Sequence, residues 1–102
     1  MQITEEYAAK LNEYFNPGKP LTAEQYTEIL DPFLEHNRSV LLLHICEGKS
    51  LTEISAIRDS NVMRIQQIFS KAERMMKHRI QNPGKKYRVK DFLDKEDNND
   101  NT

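Results

Sequence analysis

Apolar residues return every three or four positions along most of the chain, which is the spacing of amphipathic helices. The pattern predicts a first helix over residues 3–15, ended by the sequence Asn-Pro-Gly-Lys-Pro at 16–20. Thr22 and Gln25 have the spacing of a capping box, in which each side chain accepts a backbone hydrogen bond, so a second helix is expected to begin there.

A third helix is expected over residues 33–46. Asp31 followed by Pro32 predicts its start, because Asp is a good N-cap and Pro is tolerated in the first helical position. Polar residues at 36–39 interrupt the apolar pattern and indicate a turn. Gly48 is expected to end the helix in a left-handed conformation.

A short helix and a long one complete the pattern. Ser50 and Glu53 form a second capping box before a helix over 51–57, whose apolar side is predicted to be Leu51, Ile54 and Ile57. Asn61 is the predicted N-cap of the last helix, which ends at residues 82–84. Its apolar stripe is Ile65, Ile68, Phe69, Ala72, Met75, Met76 and Ile80, of which Phe69, Met75 and Met76 are expected in the core or in a dimer seam.

The predicted fold class is therefore all-α: a small bundle of about five helices with a C-terminal helix-turn-helix over residues 40–78. With 102 residues, 3 Gly and 4 Pro, the chain has room for one domain and few breaks. We expect that domain to cover residues 1–82. Residues 83–102 are expected to be a flexible, charged tail, since its acidic, Asn-rich end has too little apolar surface to order itself.

The formal net charge of −1 conceals a strong asymmetry along the chain. Residues 1–36 carry 2 basic and 7 acidic side chains, residues 37–90 carry 12 basic and 4 acidic, and residues 91–102 carry 1 basic and 5 acidic. A concentrated basic segment is typical of a nucleic-acid binder, although a solvated helix face balanced by acidic ends is an equal alternative on charge alone.

Other classes of function have little support in the sequence. No apolar run approaches the roughly 20 residues of a membrane span, and the acidic start is unlike a signal peptide, so a cytoplasmic protein without membrane contact is expected. Cys46 lies in an apolar stretch and is expected to be a small core residue. The three histidines have no metal-ligand spacing with it, so we expect no enzyme activity, no metal and no cofactor.

The feature that indicates function is the succession of a short helix, a tight turn and a long helix over residues 51–78. In helix-turn-helix proteins the second helix enters the major groove with its N-terminal residues at the base edges. That helix has a polar stripe of Arg64, Gln67, Lys71 and Arg74, opposite its apolar side. Glu73 is the single acidic residue between positions 61 and 78, which suits a surface facing phosphate.

These residues resemble region 4 of the bacterial sigma-70 family, the part that reads the −35 promoter element. The residues that carry the similarity are 38–43, 47–55, 61–68 and 70–72, and every element of the family pattern is present among them without an insertion or deletion. Two features depart from the family. Arg58-Asp59 stands where the family commonly has Leu-Gly, and no region 2 is present, so the resemblance implies DNA reading without promoter opening by this chain.

The resemblance also implies roles for particular residues in contact with double-stranded DNA. Gln can bond adenine through two hydrogen bonds, Val or Met can touch a thymine methyl group, and Arg can bond guanine or a phosphate. The expected base-reading residues are Val62, Met63, Arg64, Gln66 and Gln67. The expected phosphate-contacting residues are Lys49, Ser50, Thr52, Lys71 and Arg74.

The leading hypothesis is a bacterial transcription regulator, from a phage or mobile element, that reads DNA through these residues. The alternative is a protein-interaction module that binds RNA polymerase or a sigma-like partner with little DNA contact, which the acidic ends of the chain favour. A homodimer formed by the N-terminal helices is a third hypothesis, with Tyr7, Leu11, Tyr14, Phe15 and Tyr26 as the candidate contacts.

Overall fold

The computed structural model describes residues 1–82, and within them the chain forms five α-helices and no strand. They are α1 (Glu5–Phe15), α2 (Ala23–Leu30), α3 (Glu35–Ile45), α4 (Leu51–Ile57) and α5 (Val62–Gln81). The prediction of an all-helical fold is confirmed for this part of the chain. The tail predicted at 83–102 lies outside the described residues.

Three of the predicted helix starts are confirmed in atomic detail. The capping boxes at Thr22 and Ser50 are complete, with both the cap side chain and the side chain three residues later accepting backbone hydrogen bonds. Asn61 Oδ1 accepts a hydrogen bond of 2.8 Å from the Arg64 backbone N–H. These caps satisfy N–H groups that a helix start leaves without intrahelical partners.

The connection between α2 and α3 differs from the prediction. Asp31 has a helical backbone and its N–H donates to the Thr27 carbonyl, so it ends α2 instead of capping α3. α3 begins after Leu34, which makes no side-chain cap. The predicted N-cap at Asp31 and first helical residue at Pro32 are therefore wrong.

The turn predicted at 36–39 is also wrong, because these residues are helical within α3. Arg38 Nη1 lies 3.2–3.4 Å from three carbonyl oxygens at the end of α2, those of Leu30, Asp31 and Phe33. Asn37 is buried. The polar residues that interrupt the apolar pattern thus pack inside the fold and close the end of the preceding helix.

α5 is the centre of the packing: it contacts α2, α3 and α4, while α1 contacts α2 and α3. Phe69, Met75 and Met76 are buried among core residues from all five helices, which confirms the core alternative for them. Ile57 was predicted to face inward, but 58% of its surface is exposed. That prediction is wrong because Ser55 is buried and Arg58 is the next residue on the inner side of α4.

The N-terminal helices are joined by one amide side chain. Asn12 Oδ1 accepts hydrogen bonds from the Tyr26 hydroxyl, at 2.7 Å, and from the Leu21 backbone N–H, at 3.0 Å. Leu11 and Tyr26, two of the candidate dimer contacts, have no exposed surface because they fill the core of their own chain. A homodimer stays a prediction, with Tyr14 the exposed member of that set.

No helix within residues 1–82 has both the length and the apolar character needed to cross a membrane.

Candidate nucleic-acid interface

A tight reversal joins α4 to α5. Asp59 has a positive φ of 52°, and the backbone N–H of Ser60 donates to the Ser55 carbonyl at 2.8 Å. Asp adopts this left-handed conformation more readily than most residues because its short side chain can bond locally. Asp59 therefore adopts the left-handed conformation that favours Gly.

Arg58 anchors this reversal to α3 through its polar head. Its Nη1 donates to Ser39 Oγ at 3.0 Å, and its Nη2 forms an ion pair of 3.4 Å with Glu35 Oε2. The side chain of Arg58 is 29% exposed. An apolar residue at this position would hold the turn by packing, whereas here the guanidinium bonds across to α3.

All five of the predicted base-reading residues lie exposed in the first two turns of α5. Met63 is 70% exposed and Val62 is 40% exposed. Arg64, Gln66 and Gln67 are exposed as well. The first turn of α5 carries no acidic residue. The first two turns of α5 therefore present two amides, a thioether and a cation to solvent with no carboxylate among them, and the exposed Asp59 lies in the preceding reversal.

The predicted phosphate-contacting residues divide into two groups. Thr52 and Arg74 are exposed, whereas Lys49 and Lys71 are half-buried. Ser50 is exposed, but its Oγ accepts the Glu53 backbone N–H at 3.0 Å, so its hydroxyl is already engaged in capping α4. These residues lie at the start of α4 and along α5, on either side of the reversal.

The backbone at Lys49 is held by a hydrogen bond from the half-buried His44. The imidazole of His44 packs edge-on against Phe69, with ring centroids 4.7 Å apart, and its Nδ1 lies 2.7 Å from the Lys49 carbonyl. A carbonyl oxygen only accepts, so Nδ1 carries the hydrogen. His44 thus fixes the chain immediately before the α4 cap.

Two carboxylates of α4 and α5 accept hydrogen bonds within the fold. Glu73, the single acidic residue of α5, accepts a hydrogen bond from the Tyr14 hydroxyl at 2.5 Å and lies 4.0 Å from Lys77 Nζ. Glu53 accepts from the Ser50 backbone at 2.9 Å, and these capping hydrogen bonds lower the pKa of its carboxyl. Both carboxylates therefore have hydrogen-bond partners within the fold.

Sequence reasoning missed a group of basic side chains beside α5. Burial lowers the pKa of His36, on α3, and the positive charges of Arg58, Arg64 and Lys71 lower it further, while Glu35 opposes them. Arg58, Arg64 and Lys71 come from three separate positions in the sequence. Their proximity to His36 depends on the packing of α5 against α3, for which the sequence contains no local signal.

Cys46 is not arranged as a nucleophile. Burial raises the pKa of its thiol to about 11, so the unreactive protonated form persists at neutral pH. Its Sγ lies 3.7 Å from the Tyr7 carbonyl. Within residues 1–82, no group of three His, Cys, Asp or Glu side chains is placed to hold a metal ion.

A pocket of about 450 Å³ lies at the other end of α5, lined by residues that include Phe15, Leu21, Lys77 and Ile80. The residues around it contain no carboxylate, imidazole or thiol. It is therefore separate in both position and chemistry from the exposed start of α5.

Comparison with protein-family models, with curated proteins and with solved structures found no match to this chain.

Proposed function

We propose that this protein is a sequence-specific transcription regulator that binds double-stranded DNA through a helix-turn-helix formed by α4, the reversal at residues 58–61, and α5. One observation carries the proposal: Val62, Met63, Gln66 and Gln67 are exposed together at the start of a long helix whose first turn lacks acidic residues. This is the part of a recognition helix that contacts base edges.

The chemistry of these side chains suits the major groove. That groove is about 12 Å wide and admits one α-helix. The Gln amide N–H can donate to N7 of adenine while its carbonyl oxygen accepts from the N6 amino group, and the exposed Met63 and Val62 suit the methyl group of thymine. The interface therefore favours sites rich in A·T pairs.

The distribution of charge supports the same surface. Residues 49–82 carry 7 basic and 3 acidic side chains, whereas residues 1–36 carry 2 basic and 7 acidic. Positive charge near the DNA lowers the free energy of binding through counterion release, while a negative N-terminal part disfavours approach in other orientations.

Selection of duplexes from a random pool tests the proposal directly. We expect an enriched motif, and we expect affinity for it to fall steeply as salt increases. The double variant Gln66→Ala, Gln67→Ala should lose preference for the motif while keeping weak binding to unrelated DNA. Gln81→Ala is the matched control, since it removes the same side chain at the far end of the same helix, about 21 Å from Gln67.

Two results would contradict this function. Recovery of no enriched sequence, with no duplex bound at low salt, excludes DNA binding by the chain. Unchanged preference in the double Gln variant excludes the assigned reading residues, even where a motif is recovered.

A second candidate function has its own observation. Ile57, Val62 and Met63 expose apolar surface at the reversal between α4 and α5, which suits a protein contact as well as thymine methyl groups. In this alternative the surface binds RNA polymerase or a sigma-like partner. Capture of polymerase by the purified chain, lost in Ile57→Ser and Met63→Ser, together with no DNA binding, would favour it.

A further inference from the structure

The pocket at the far end of α5 lies between that helix and the loop that joins α1 to α2. Phe15, Leu21 and Ile80 form its apolar walls, and each is half-buried because it packs against the core. The volume of about 450 Å³ falls in the range of about 300–1,000 Å³ typical of pockets that bury a ligand. The pocket is therefore large enough to take apolar side chains from outside the described fold.

The loop side of the pocket is held in place by the amide of Asn12. Its Nδ2 donates to the Leu21 carbonyl at 2.9 Å, and its Oδ1 accepts from the Leu21 backbone N–H at 3.0 Å. Pro17 and Pro20, which also line the pocket, each fix one backbone dihedral angle of the loop. Because this wall is already ordered, an occupant does not have to bear the entropic cost of ordering it.

The charges at the pocket have one sign. Lys19 and Lys77 lie in its lining, and none of the described residues that line it carries a carboxylate. Lys77 is 57% exposed, and its Nζ lies 4.0 Å from Glu73 Oε2, on the same helix. Apolar walls beside two lysines suit a ligand that presents apolar side chains flanked by carboxylates.

The chain itself contains such a segment. Residues 91–94 read Asp-Phe-Leu-Asp, with two adjacent apolar residues between two carboxylates. Gln81 is one of the lining residues, so the chain leaves α5 at the edge of the pocket. The 11 residues from Gln81 to Phe92 span up to about 36 Å when extended, and Pro83-Gly84 is a pair typical of turns, so the segment can return to the pocket.

We propose that residues 91–94 dock in this pocket of their own chain. Phe92 and Leu93 contact the apolar walls, and the flanking carboxylates lie beside the two lysines. The covalent connection gives the segment an effective concentration of order millimolar, so a weak contact is enough. The inference does not depend on DNA binding. It replaces the expectation of a flexible tail for residues 91–94 and leaves it for residues 95–102, which contain no apolar side chain.

A fluorescence experiment on the full chain tests whether the segment is docked. The sequence contains no Trp, so Phe92→Trp introduces a single indole reporter. We expect its emission to lie at shorter wavelength, and its quenching by acrylamide to be severalfold weaker, than in Asn99→Trp, a reporter further along the same tail. Adding Lys19→Glu and Lys77→Glu should shift the emission toward that of the solvent-exposed reporter.

The matched control adds Lys10→Glu and Arg74→Glu, which reverse one exposed cation on α1 and one on α5 outside the pocket lining. This control should keep the emission of Phe92→Trp, and circular dichroism checks that both sets of variants are folded. An emission shift equal in the two sets would show that the lysines of the pocket have no particular role and would overturn the charge assignment.

NMR of the chain without a reporter decides the location. The backbone amide signals of Leu21 and Ile80 should move in the double variant Phe92→Ser, Leu93→Ser and stay in place in Asn98→Ser, Asn99→Ser. Unchanged Leu21 and Ile80 signals in the first variant overturn the inference, whatever the indole reports. A contact that appears only as the protein concentration rises assigns the pocket to the segment of a second copy and overturns docking within one chain.

Discussion

The Tyr14 hydroxyl donates a hydrogen bond of 2.5 Å to Glu73 Oε2 and so joins the last turn of α1 to the middle of α5. The Tyr14 ring also packs edge-on against Phe69, with centroids 6.4 Å apart. Burial, followed by the bond to Glu73 and the charge of its carboxylate, raises the pKa of Tyr14 to about 12. The acidic N-terminal helix thus engages the one carboxylate of the long basic helix.

Tyr14→Phe keeps the ring and removes this hydrogen bond. We expect the free energy of unfolding to fall by about 0.5–1 kcal/mol, a modest loss because both groups are partly exposed. A double-mutant cycle with Glu73→Gln, measured by urea denaturation, isolates the contribution of the pair. Additive effects of the two single substitutions would contradict the contact.

Gly48→Ala should destabilise the protein through the backbone alone. Gly48 has a φ of +72°, and an added Cβ would meet no atom within 4 Å. An L-residue in the left-handed region costs about 1–2 kcal/mol, so we expect the free energy of unfolding to decrease by about 1 kcal/mol. Gly18→Ala is the matched control, because its surroundings are equally open and its φ is not in the positive region. Equal stabilities of the two variants would contradict this explanation.

Asp59 also has a positive φ. The melting temperatures of variants at this position should therefore follow how readily each residue adopts that conformation. Asp59→Val should lower the melting temperature, because a β-branched residue disfavours φ near 52°. Asp59→Gly should change it little, since relief of backbone strain is offset by greater freedom of the unfolded chain. Thermal unfolding followed by circular dichroism measures both. A stabilising Asp59→Val would show that the reversal does not need this conformation.

The free energy of unfolding should decrease as the pH rises above 9. Burial raises the pKa of Cys46 from 9.0 to about 11, and that of Tyr26 from 10.0 to about 12. In both cases the folded state holds its proton more tightly than the unfolded state. The associated stability is therefore complete below pH 9 and is lost as the pH rises toward 11 and 12.

Urea denaturation between pH 7 and 11, under reducing conditions, measures this decline. We expect a loss of order 1 kcal/mol by pH 11. Cys46→Ala should remove the part due to the thiol and leave the part due to Tyr26, whose hydroxyl donates to Asn12, and to Tyr14, whose pKa is also raised to about 12. A constant free energy of unfolding across this range would contradict the assignment.

The helix starts could be predicted from the sequence because their physics is local. At Thr22, Ser50 and Asn61 the side chain bonds to a backbone N–H three residues further on, so the partner is fixed by the chain itself. The same holds for Gly48, whose conformation ends α3, and for the apolar stripe of α5. The exposed position of Gln66 and Gln67 follows directly from that stripe.

Polar residues whose partners are distant in sequence could not be predicted in this way. Asp31 and Arg38 have the sequence character of a boundary, yet Arg38 folds back over the carbonyls that end α2. The spacing of apolar residues predicts that Ile57 faces inward, yet Ile57 is exposed and Arg58 contacts α3 instead. In each case hydrogen bonding across helices outweighs the local preference, because a buried polar group needs a partner wherever the fold supplies one.

The sequence by itself therefore determined five helical segments, the caps at Thr22, Ser50 and Asn61, and the polar surface at the start of α5. The tertiary structure decided which charges lie together: Tyr14 with Glu73, Arg58 with Glu35, and His36 beside Arg58, Arg64 and Lys71. The physical reason is that hydrophobic spacing and helix capping act over a few residues, whereas electrostatic interactions depend on distance through space, which the packing of α5 against α3 sets.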